Sequence, residues 1–119
     1  MSEQSGELPI IQKTYDLILW CIPHLNKIPR SFKFTLGERL QSGLYYFLEK
    51  LILARYSRQR LEILEELNAR LDVIRFQIRF LLDFKIFNIA RYEYASNMVT
   101  EIGKSLGGWI KQEKGRSVK

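Results

Sequence analysis

Six aliphatic residues, Leu64, Leu67, Leu71, Ile74, Ile78 and Leu81, recur at alternating steps of three and four in a stretch free of proline and glycine. That spacing places all six on one side of an α-helix and on no single face of a strand. Ser57 is a plausible cap at its start, and a helix from there to about Lys85 would run roughly 40 Å at about 1.5 Å per residue. A seam of that length has to be covered along its whole length, which restricts the chain to packed helices.

Three other segments carry the same signature. In residues 9–27 the stripe is Ile11, Tyr15, Ile18, Ile22 and Leu25, with Pro9 suited to the first turn and Pro23 set to kink or end the last one. Thr35-Leu36-Gly37-Glu38 reads as a capping box opening a second helix, whose stripe is Leu40, Leu44, Phe47, Leu51 and Ala54. Asn88 is placed to cap the last helix, with Tyr92, Ala95, Val99, Ile102, Leu106 and Trp109 on its stripe. Period-two alternation is absent, so no sheet is expected. Long helices joined by short connections predict an all-α, up-down-up-down antiparallel four-helix bundle. The 119 residues suit a single domain over 1–119, with flexible flanks at about 1–7 and 113–119. Gly103 and Gly107, one turn apart, would let a neighbouring helix approach; alternatively, Gly107-Gly108 frays the helix before Trp109.

Two of these helices carry more apolar surface than one core uses. Val73, Phe76, Phe80 and Phe84 project about 145° from the long seam, and Tyr45, Ile52 and Tyr56 stand off the stripe of the preceding helix. Either a loop or the kinked first helix covers them, or they form a subunit interface. The favoured expectation is a homo-oligomer built through Val73, Phe76, Phe80, Phe84, Tyr45, Ile52 and Tyr56. A narrow polar strip between the two faces holds Asp72, Arg75, Arg79 and Asp83. Arg55, Arg58 and Arg60 crowd the turn before that helix. With a net charge of +6, these five arginines are the candidate nucleic-acid contacts, acting on the phosphate backbone in a salt-dependent way.

Chemistry beyond binding finds little material. His24 is the single histidine and Cys21 the single cysteine, so a thiolate–imidazole pair would lack an orienting third group. The pair cannot close a zinc site within one chain, and Glu-x-x-His repeats for a di-iron centre are missing. Gly103-Lys104-Ser105 mimics the end of a phosphate-binding loop, but Met98 stands where the first glycine belongs. No catalytic residue, metal or cofactor is expected. No apolar run is long enough to span a membrane, and the polar, acidic start does not read as a secretory signal. One cysteine fits a reducing compartment, so a cytoplasmic location is expected.

The runs Leu8-Pro9-Ile10-Ile11-Gln12-Lys13-Thr14-Tyr15-Asp16, Phe34-Thr35-Leu36-Gly37-Glu38-Arg39, Ala54-Arg55-Tyr56-Ser57-Arg58 and Leu106-Gly107-Gly108-Trp109 carry a family resemblance. In that order and spacing, from about Leu8 to Lys111, the chain resembles the Avd-like four-helix bundles, the accessory variability determinants of diversity-generating retroelements. The resemblance implies a basic, non-enzymatic bundle assembling as a ring-like homopentamer. Such a protein binds nucleic acid, RNA and DNA alike, and associates with the element's reverse transcriptase. Together they support mutagenic cDNA synthesis from template RNA. The wider superfamily also holds bundles encoded in 23S rRNA intervening sequences. That leaves an alternative: a structural or interaction module without a polymerase partner.

Overall fold

The apolar stripes become four helices in a computed structural model that describes residues 7–117. Helix α1 spans Glu7–Leu25, α2 Glu38–Tyr56, α3 Arg60–Asp83 and α4 Ile89–Ser117, with no strand among the described residues. Each helix packs on two neighbours, in the cyclic order α1, α2, α3, α4 and back to α1. Cross-helix contacts at three of the four edges match an antiparallel arrangement. Lys13 of α1 donates to Ser105 of α4, and Trp20 packs on Tyr94. Tyr46 of α2 donates to Glu66 of α3, while Arg60 at the start of α3 meets Glu113 near the end of α4. The resulting rod measures 51 × 23 × 21 Å.

Leu64, Leu67, Leu71, Ile74, Ile78 and Leu81 are all buried, as are Leu40, Leu44, Phe47, Leu51 and Ala54 of α2. In α4 the buried set runs from Ala95 through Val99, Ile102 and Leu106 to Trp109, with Tyr92 half-buried. Asn88 caps this helix: its Oδ1 accepts from the Arg91 amide at 2.8 Å. The helix passes Gly107 and Gly108 unbroken, so they do not fray it. A Cβ on Gly103 would fall 2.7 Å from Arg75 Nη2, whereas Gly107 faces open space. Only the first of the two glycines serves a close approach.

Three expectations need correction. The buried face of α1 is Ile10, Thr14, Leu17, Cys21 and Leu25, with Ile18 at its edge; Ile11 and Ile22 flank it, and Tyr15 is exposed. The stripe read from the sequence was rotated by one residue, because Ile10, Leu17 and Cys21 repeat at helical spacing as well as Ile11, Ile18 and Ile22 do. The capping box does not form. The chain turns helical after Pro29, through one turn at Arg30–Phe32 and a π-helical turn at Lys33–Gly37 that leads directly into α2. Thr35 therefore sits inside helical backbone, and its hydroxyl donates back to the carbonyls of Ser31 and Phe32. Gly37 rests on Ile28 so closely that a Cβ would stand 2.9 Å from Ile28 Cδ1. Ser57 acts three residues ahead of α3: its Oγ accepts from the Gln59 amide and shapes the turn, not the first helical residues.

Residues 1–6 and 118–119, part of the flanks expected to be flexible, lie outside the described residues. Glu7 already belongs to α1, and residues 113–117 continue α4 with Glu113 buried against α3.

Candidate functional site

The five arginines singled out above do not converge. Arg55, Arg58 and Arg60 gather at the α2–α3 turn, while Arg75 and Arg79 lie roughly 20–30 Å further along α3. Arg60 belongs to the fold more than to the surface. Its Nε donates to the Ala54 carbonyl at 2.8 Å and its Nη2 to the Arg55 carbonyl at 2.8 Å, closing the last turn of α2. Arg55 lies over the Tyr56 ring, and Arg58 is exposed.

Arg75 pairs with Asp72, and Arg79 with Asp83 at 3.1 Å, all four side chains open to water. The hydrogen bond and charge of Asp83, with Tyr92 from α4, push the Arg79 pKa further up, so it stays cationic. Exposed pairs of this kind contribute little to stability and exchange readily for other anions. Arg75 and Arg79 face α4, and Arg75 crosses Gly103.

The apolar residues expected at an interface are all exposed on the isolated chain, Phe76 to 68% and Tyr56 to 77%. They occupy two faces, not one. Val73 lines a groove between α2 and α3, about 530 Å³ in volume, together with Arg39, Ser42, Tyr46, Arg70 and Gln77. Phe80 and Phe84 continue that side of α3, and Phe84 is partly covered by Phe32, which stacks on it at 5.1 Å. Tyr45, Ile52 and Tyr56 stand about 90° around α2 from the groove residues, on the side turned toward α1. There they are joined by Tyr15 and Leu19, exposed on α1. Sequence reasoning had assigned Tyr15 to the core and passed over Leu19. Their spacing of four on the wet side of α1 was the signal that could have found them.

Catalytic chemistry gains nothing from the geometry around Cys21 and His24. Cys21 lies in the core, where burial pushes its thiol up to about 12, so the thiolate is scarcely populated. His24 packs its ring on Trp20 at 4.5 Å and on Phe87 at 6.1 Å. Burial, then the charges of Arg91 and Lys27, lowers its pKa and favours the neutral imidazole. No group of histidine, cysteine and carboxylate side chains among the described residues could hold a metal ion. None of the helices is long and apolar enough to cross a membrane.

A family model described as bAvd-like matches residues 8–113. The chain belongs to the bAvd-like family. No curated protein matches it. For a bAvd-like chain, membership points to an accessory protein of the retroelement type, and the family is generally non-enzymatic. The matched span takes in α2 and α3 whole, α1 and α4 but for their outer ends, both apolar faces and the five arginines.

Proposed function

We propose that this bAvd-like chain is a non-enzymatic accessory protein of a diversity-generating retroelement. Copies assemble into a ring-like homopentamer in the cytoplasm, bind nucleic acid, and hold the reverse transcriptase and its template RNA together during mutagenic cDNA synthesis. The observation that carries this reading is the pair of exposed apolar faces that lie on either side of α2. The two differ in composition, Val73, Phe80 and Phe84 on one and Tyr15, Leu19, Tyr45 and Ile52 on the other. Unlike faces favour head-to-tail contacts, which close into rings when the turn between copies allows it. Faces about a right angle apart suit rings of about four or five copies.

The arginines support the binding half. Arg75 and Arg79 lie on the α3–α4 side, turned at least about 100° around α3 from Val73, Phe80 and Phe84, with Phe76 between, and remain available when those three are covered. Repeated around a ring, they present a band of cations that contacts phosphates without reading bases. The test is a salt titration of binding to a labelled RNA strand. Replacing both Arg75 and Arg79 by Glu is expected to weaken affinity by at least about tenfold and to flatten the slope against log salt. Unchanged affinity and slope would remove these two positions from the proposed surface.

A further inference from the structure

We infer that Phe34, with Arg30 and Lys33, forms a stacking platform for an unpaired base of single-stranded nucleic acid at the end of the bundle opposite the α2–α3 turn. This rests on the nucleic-acid reading above and adds a second kind of contact at a separate place. Between Asn26 and Gly37 the chain holds Lys27, Arg30 and Lys33 and not one acidic residue. The π-helical turn divides the aromatic residues of this segment. Phe32, half-buried, stacks on Phe84, and Gly37 settles on Ile28, so the turn is anchored at two points. Phe34 is left outside, 60% exposed. The Arg30 guanidinium lies 5.7 Å from its ring centroid and the Lys33 ammonium 6.0 Å.

A flat ring open to water, with two cations standing over it, matches the repeating chemistry of a single strand. Each nucleotide brings one π-face and one phosphate within a few ångströms of each other, and stacking of that kind is indifferent to base identity. A duplex keeps its bases stacked on one another and offers only the phosphates. An acidic peptide would engage Arg30 and Lys33 but has no use for the exposed ring. The Thr35 hydroxyl, next to Phe34 in the chain, is already donating to the Ser31 and Phe32 carbonyls. The contact is therefore non-specific, and it discriminates strand from duplex.

The experiment compares three fluorescent probes of equal length, about a dozen nucleotides, by anisotropy: oligodeoxyadenylate, its abasic counterpart and a duplex. The base-bearing strand is expected to bind at least about fivefold tighter than the abasic one. Phe34→Ala should abolish that difference and leave abasic binding unchanged. Phe34→Trp should keep it, and its added fluorescence over that of Trp20 and Trp109 should be quenched on binding the strand. Equal affinity for strand and abasic probe, untouched by Phe34→Ala, overturns the platform while the arginine-based reading stands. Binding to none of the probes overturns both. A change in the mass of the assembly by light scattering in Phe34→Ala would make this ring a subunit contact and likewise overturn the platform.

Discussion

Arg60 Nη1 lies 3.4 Å from Glu113 Oε2, with the two side chains only 21% and 11% exposed. The same guanidinium holds the last carbonyls of α2, and Glu113 also meets Arg116 at 3.4 Å. One side chain thus ties the end of α2, the start of α3 and the end of α4 together.

Arg60→Ala is expected to lower stability by about 2–3 kcal/mol, since it strips two charged hydrogen bonds from carbonyls and weakens the pairing of a buried carboxylate. Arg60→Lys should recover less than half of that, because an ammonium cannot reproduce the forked geometry. Urea unfolding followed by circular dichroism measures both. A loss under about 0.5 kcal/mol for Arg60→Ala would return this residue to the surface class.

Lys85 ends α3 in the left-handed region, φ 63°, while the amides of Ile86 and Phe87 return to the Leu81 carbonyl. A non-glycine residue pays steric strain there. Lys85→Gly is expected to stabilise the protein by about 0.5–1 kcal/mol, visible as a higher melting temperature.

Assembly can be tested by complementation. Phe80→Asp and Leu19→Asp should each leave helicity intact and block the ring. Mixed together, they should form a heterodimer, because each variant retains the face the other has lost. Light scattering of the mixture decides. If the mixture stays monomeric while each variant alone does too, head-to-tail pairing through these faces is wrong.

His24 gives a pH dependence of definite sign. Its folded pKa lies below the usual 6.5, so the unfolded chain takes up the proton more readily. The stability contribution is complete above about pH 6.5 and is lost as pH falls toward the folded value. Thermal melts between about pH 7.5 and 5 should show a decline that His24→Gln reduces. The imidazole should titrate below 6.5 by NMR.

How far the sequence carries depends on the range of the interaction. The seams of α2, α3 and α4 and the Asn88 cap were legible because each is encoded within a few residues of itself. The α1 face was not, since two apolar series one residue apart are equally periodic and a buried Thr14 breaks the correct one. The Thr35 box failed because Pro29 had already begun a helix upstream, which a four-residue motif does not register. Arg60 looked like one more surface cation because its carboxylate lies fifty-three positions away. The exposed apolar residues were legible from their helical position off each seam, but their division between two faces requires knowing which neighbour lies on which side of α2.

That division has a consequence for growth. In the proposed assembly an unfinished string of copies always ends in one bare surface of each kind, so nothing along it signals a stop until its tips meet. Copy number is then set by the corner that α2 makes between the surfaces, and not by how tightly they adhere. Mutations that tilt this helix, for instance at Gly37, would alter the count while leaving every contact residue in place.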